Sequence, residues 1–333
     1  MDENCFKELL DYIRPYLTKQ STSLREPIPP EESLSATLRY LATGNSFISM
    51  DMETKLSQPF LTQTIPKCCF LIFQHLKDIY MKFPSSIEEW EDIAAGFNNR
   101  WQFPLCLGAL DGKHIEFRAS KKEDVLYYNY KRFHSVVLLA MCDSKYRFTF
   151  ADIGGIGRNS DSGTLNQSHL RTIIQHARTY FPPDKNIGND RLLPYCIIGD
   201  DAFPLEKHIM KPYSYSTQDP KEIYYNFRLS RARQTIECAF GILANRFKVL
   251  QNIINLCPEK VNFVIGACCV LHNFLITHET ENSSFSNGPN TSPSATHPAD
   301  VRTEDEEVSA SAKRIRDEFA AYFFEEGHLT EQA

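Results

Sequence analysis

Leu105-Cys106-Leu107-Gly108-Ala109-Leu110-Asp111 is an apolar run that ends in a carboxylate. Three further segments share its character: Val136 to Cys142, Phe148 to Ile153 (closed by Gly154-Gly155-Ile156-Gly157), and Tyr195-Cys196-Ile197-Ile198-Gly199-Asp200. Short, nearly continuous apolar runs predict strands buried on both faces. Leu165 to Tyr180 reads as helix, and Ile236, Phe240, Leu243, Phe247 and Leu250 repeat at three and four, which predicts a later helix. Between them, Tyr180 to Leu193 reads as a polar surface loop.

The order strand-strand-strand-helix-strand-helix predicts an α/β, ribonuclease-H-like domain over residues 101–279. Residues 1–100 read as helical. Phe6, Leu9, Leu10, Ile13 and Leu17 recur at helical spacing, as do Leu34, Leu38 and Leu41 before Gly44. Met52 to Phe60 and Ile65 to Tyr80, joined at Thr62-Gln63-Thr64, suit a helix-turn-helix or a plain helical bundle. The recognition helix of the first reading offers DNA only Lys67. Val261 to Leu275 is apolar almost all round and reads as a buried helix. Residues 280–303 have linker composition, and 304–333 hold an amphipathic helix whose apolar stripe, ending in Tyr322, Phe323 and Phe324, reads as a docking face for a partner or a second subunit.

Composition narrows the class. Hydrophobic residues at 42% and charged residues at 23% exclude a disordered chain, a collagen and a coiled-coil rod. No apolar run of about 18 residues predicts a membrane span, and the acidic N-terminus is unlike a signal peptide. The ten cysteines, several inside apolar runs, read as reduced core thiols. A net charge of -6 argues against a generally basic nucleic-acid binder, but Phe227 to Lys248 holds five basic residues and one acid.

Asp111 and Asp200 are expected at the C-terminal ends of buried strands, the edge at which open α/β sheets bind ligands. Glu237 lies beside the apolar stripe of the later helix. Carboxylates brought together repel unless cations neutralise them, and an all-oxygen set suits Mg²⁺ or Mn²⁺. Two such ions would activate water and stabilise the leaving oxygen of a phosphodiester.

Further strings extend these motifs: Leu107 to His114, Tyr128-Asn129-Tyr130-Lys131, Gly157 to Asp161, Gly199 to Leu205, Phe227 to Arg233, Ile236 to Leu243, Arg246-Phe247 and Leu271-His272-Asn273-Phe274. In order and spacing, over roughly residues 25 to 277, the series resembles the PIF/Harbinger superfamily of DDE transposases and the nucleases derived from them. The resemblance implies a metal-dependent DNA endonuclease or transposase. Asp111, Asp200 and Glu237 occupy its catalytic positions, and Asp161 a further metal position. It also favours the helix-turn-helix reading of the N-terminal domain. It implies a separately encoded Myb/SANT-like DNA-binding partner that aids nuclear import, with cytoplasmic retention in the partner's absence.

Arg228, Arg231 and Arg233 lead into the Glu237 helix and would suit phosphate contacts or a solvated face. His114 would reach DNA or satisfy a polar edge; His272 reads as a structural hydrogen-bonding residue. Asp161, among small polar residues, would cap the Leu165 helix or join the metal site. A homo-oligomer is compatible with the apolar stripe near the C-terminus. The rival function is a domesticated, catalytically silent DNA-binding or scaffold protein.

Overall fold

The computed structural model describes residues 1–20, 27–120, 124–188, 190–282 and 310–330. Helices α1 (Glu3–Leu17), α2 (Pro30–Thr43), α3 (Phe47–Thr54), α4 (Gln58–Tyr80) and α5 (Ile87–Trp101) precede the sheet. Then come β1 (Cys106–Glu116), α6 (Asp124–Tyr127), β2 (Ser135–Cys142), β3 (Phe148–Ile156), α7 (Asp161–Gln167), α8 (His169–Gln175) and α9 (Ala177–Tyr180). The remainder is β4 (Lys185–Ile187), β5 (Arg191–Leu193), β6 (Cys196–Ile198), β7 (Ile209–Met210), α10 (Pro220–Arg246), α11 (Pro258–Asn282) and α12 (Ala310–Thr330).

The strand order is β3-β2-β1-β6-β7, with β1, β2 and β3 antiparallel and β6 and β7 parallel to β1. This five-stranded mixed sheet in an α/β fold agrees with the class expected from the run order. Every residue of β2 is buried, as its unbroken apolar run requires. β7 is an addition: two residues are too few to carry a sequence pattern.

The N-terminal helices and the sheet share one continuous hydrophobic core. By length and composition alone, Pro258–Glu279 of α11 could cross a membrane, yet it is mostly buried, against α4 and β3. Asn273 on α11 ties three elements: its Nδ2 donates to the carbonyls of Tyr80 and Phe148 at 2.8 and 2.7 Å, and its Oδ1 accepts from Phe148 N–H at 2.9 Å. Beside it, His272 Nε2 bonds the Tyr146 carbonyl at 2.9 Å. The structural reading of His272 therefore fits its place.

Several expectations are revised. The break expected at Thr62-Gln63-Thr64 lies inside α4; the chain turns at Lys55, which takes a left-handed conformation (φ 59°). The stretch of α4 read as a recognition helix is built into the core, with Ile65, Cys68, Cys69, Leu71 and Ile72 buried. Lys67 donates to the Tyr16 carbonyl at 3.1 Å. Leu165 to Tyr180 is three short helices, and the loop before Leu193 is the β4–β5 hairpin.

The C-terminal helix is corrected most. Its stripe packs on α10 of the same chain, with Phe319 and Phe323 fully buried against Phe103. Tyr213 Oη donates to Asp317 at 2.6 Å, and Arg191 pairs with Glu318 and Glu325. The face expected to receive a partner is occupied by the chain's own core. From residue 283, the expected linker lies outside the described residues.

Candidate metal centre

The pairing of β1 with β6 builds the centre. The strands are parallel, with Ala109 opposite Ile198. Two residues further along each chain stand Asp111 and Asp200, so register alone brings the carboxylates together. Asp111 lies within β1, opposite Ala140 of β2, rather than at the strand end. Its strand continues to Glu116 as the wall of a cleft. Asp200 sits just beyond β6, where its Oδ1 accepts from the Ala202 N–H at 3.0 Å.

Asp161 arrives from the far side. The N-cap of α7 is Ser160, whose Oγ accepts from Gly163 N–H at 3.1 Å, and Asp161 is the first helical residue. The capping role weighed for Asp161 therefore belongs to its neighbour. Gly112 leaves room for the approach: a β-carbon there would collide with Asp161 Oδ1. One carboxylate oxygen from each of Asp111, Asp161 and Asp200 then lies within 4.8 Å of the others.

Electrostatics report the crowding. Burial, then the Asp200 charge, pushes the Asp111 carboxyl up to about 7; Arg233 and the Gly112 N–H pull it back only in part. Asp161 is pushed up to about 6, again by burial and Asp200, against the opposing charge of Lys131. Acids held this far above their ordinary range need a cation or retain a proton. The donor set is all oxygen, as a hard divalent ion such as Mg²⁺ or Mn²⁺ requires. These three residues fit such an ion.

Glu237 is not in the convergent trio. It lines the same cleft, of about 380 Å³, from α10. Its carboxylate is paired with Arg233 one turn earlier. Arg233 is also the cation whose charge acts on Asp111 and Asp200. Its placement is that of an internal counter-ion, so the phosphate contact expected of it is not what this arrangement shows. Arg228 is 7% exposed, bonding the Gln102 carbonyl and Tyr224 Oη and facing the Phe323 ring. It is a structural residue, since burial leaves no path to a phosphate. Arg231 alone of the three is exposed, over the ring of Phe227.

The cleft contains residues to which sequence reasoning assigned no role: Lys113, Tyr130 and Lys131. An available signal was the placing of two aromatic side chains beside a cation in Tyr128-Asn129-Tyr130-Lys131. His114 also lines the cleft, its Nδ1 2.8 Å from Ser135 Oγ, and burial with the Lys131 charge lowers it to about 4.

Comparison with known proteins agrees with this chemistry. Residues 110–273 match the family described as DDE superfamily endonuclease, a span that contains all four acids. The chain is similar to the Homo sapiens protein named "Putative nuclease HARBI1", 26% identical over 91% of this chain and 82% of that one. Its Xenopus laevis namesake is 22% identical over 96% and 88%. The Arabidopsis thaliana protein named "Protein ALP1-like" is 23% identical over 78% and 64%. No solved structure matches the chain.

Proposed function

We propose that the chain is a Harbinger-derived nuclease of the DDE superfamily, a divalent-metal-dependent endonuclease that cleaves DNA phosphodiesters, a reading supported by the family match and the nuclease-named relatives. The observation that carries the reading is the convergence of Asp111, Asp161 and Asp200 from β1, α7 and the end of β6. The strand order and orientations support a ribonuclease-H-like fold for residues 101–279.

Asp111, Asp161 and Asp200 would hold the ion, Mg²⁺ or Mn²⁺, with Glu237 completing the acidic set across the cleft. When bound, it supplies a Lewis acid that polarises a phosphodiester and makes water more acidic. The protein's own side chains do the rest. Arg233 holds Glu237 in one orientation and offsets the charge of the cluster. Asp111 and Asp161 give up the protons that burial lets them keep. Lys131, exposed at the cleft, attracts the phosphate backbone.

DNA contact is assigned to the cleft and to Arg231. A helix-turn-helix would rest on α3 and α4, where Lys67 is already bonded to Tyr16. With Lys67 the one cation of the stretch Ile65 to Gln74 and already bonded, the chain would need a Myb/SANT-like DNA-binding partner, and nuclear import would depend on it. Nicking of terminal-repeat DNA in Mg²⁺ or Mn²⁺, abolished in Asp111→Asn, is the expected result. Absence of metal-dependent nicking with the partner present would remove the reading.

A second reading has its own observation. Glu237 stands outside the trio and is tied to Arg233, and one relative is named for antagonism of a heterochromatin protein. A domesticated, silent protein would bind metal and DNA without turnover, which the same assay distinguishes.

A further inference from the structure

The segment between β1 and β2 presents an aromatic ring to solvent at the edge of the carboxylate cleft. Tyr130 is 63% exposed although it lines that cleft. Its ring meets the His114 ring edge-on, with centroids 5.7 Å apart. Lys131 Nζ lies 5.3 Å from the Tyr130 centroid, on a long, exposed side chain. The platform below is built: His114 Nδ1 meets Ser135 Oγ at 2.8 Å, and Ser135 Oγ accepts from Asn129 Nδ2 at 2.8 Å. Asn129 Oδ1 accepts from the Phe133 N–H, which fixes the amide's orientation. The polar scaffold fixes the base of the ring while most of it stays in solvent.

A ring, an exposed cation and a set of carboxylates that could hold a phosphate-binding metal in one cleft match the parts of a nucleotide: base, backbone charge and scissile linkage. A base inside an intact duplex is stacked on both faces and cannot offer one to Tyr130. We propose that Tyr130, seated on His114 and flanked by Lys131, is a stacking platform for a nucleobase displaced beside the scissile phosphate, so that the substrate class is DNA unpaired at the cleavage position. The assignment rests on the nuclease reading above and narrows its substrate. Lys131 moves from the ring to the adjoining phosphate as the base arrives.

The test separates binding from cleavage. Full-length protein in Ca²⁺ is titrated by fluorescence anisotropy with a matched duplex and with the same duplex carrying three central mismatches. A 2-aminopurine in the mismatched tract reports stacking by loss of fluorescence. Wild type is expected to bind the mismatched DNA about tenfold more tightly, with quenching. Tyr130→Phe keeps both, because the ring is retained; Tyr130→Ala loses both. Equal affinity for the two duplexes in wild type, or a preference that survives Tyr130→Ala, overturns the platform. The same samples moved to Mg²⁺ address the nuclease reading on its own. Binding preference without nicking would leave the platform standing and remove the hydrolytic activity; nicking without preference would do the reverse.

Discussion

Gly112 leaves open the space that the Asp161 carboxylate fills. The two residues are far apart in sequence and on different elements, yet the closest side chain to the vacant β position of Gly112 is that carboxylate. Gly112→Ala should therefore push Asp161 out of the trio without straining the backbone. Metal affinity should fall about 10- to 100-fold, while the melting temperature in chelator changes little. Calorimetric titration with Mn²⁺ checks the first expectation, and unaltered affinity would show that Asp161 does not hold metal.

Ser160 and Asp161 should separate cleanly as cap and ligand. Ser160→Ala removes the bond to Gly163 N–H and should cost about 1 kcal/mol of stability, with metal affinity close to wild type. Asp161→Asn should do the opposite. Denaturant melts and metal titrations of both variants form the comparison; a stability loss confined to Asp161→Asn would reverse the assignment.

Arg233 competes with the metal for the acids. Removing its charge by Arg233→Gln deepens the negative potential on Asp111 and Asp200. Ca²⁺ should bind several-fold more tightly to this variant at pH 8. Nicking should slow, because Glu237 loses the partner that orients it. Weaker Ca²⁺ binding would mean that Arg233 shapes the cluster rather than opposing its charge.

The raised acids make stability depend on pH in a defined direction. Asp111 at about 7 and Asp161 at about 6 hold protons in the folded state that the unfolded chain releases near 4. Without metal, their contribution to stability is therefore least unfavourable near pH 4, falls as pH rises to about 7, and is constant above that. His114 and His272, both lowered to about 4, work the other way below pH 6.5. The measurement is consequently a difference: melting temperature in chelator from pH 5 to 8, wild type against Asp111→Asn. The variant should gain on wild type as pH rises, and saturating Mg²⁺ should close the gap. A gap independent of pH would show that Asp111 ionises normally.

The last helix belongs to the core. Phe323 is fully buried and contacts Phe103, Tyr225 and the Arg228 guanidinium. Phe323→Ala should cost about 3–5 kcal/mol and lower the melting temperature by roughly 10 °C. Removing residues 310–333 should cost more. A truncated protein that melts like the full chain would place the helix elsewhere in solution.

The sheet was legible because its strands are buried on both faces and so read as unbroken apolar runs. Asp111 was legible as a residue of interest and misplaced within its strand. The run stops there, but the strand goes on through Lys113 and His114, which face a cleft and need not be apolar. The Asp111–Asp200 meeting followed from run order, whereas the Arg233–Glu237 pair did not, although their spacing of four on one helix was visible. In α4 the polar triplet Thr62 to Thr64 before Pro66 resembled a break. Packing against α11 and α2 carries the helix through it. The apolar stripe of α12 was plain, but periodicity states only that a face is covered. Whether a partner or the same chain covers it depends on contacts distant in sequence.

The parallel register of β1 and β6 also orders events in time. Asp111 and Asp200 come within reach only after these two strands pair, and nearly ninety residues separate them along the chain. Parallel pairing across such a separation closes a long loop and is slow. A nascent chain that has emerged as far as β3 holds one acid of the set and no partner for it. The carboxylate constellation is thus a late product of folding: a half-synthesised or misregistered chain lacks it, and metal affinity would certify that the central strands have found each other.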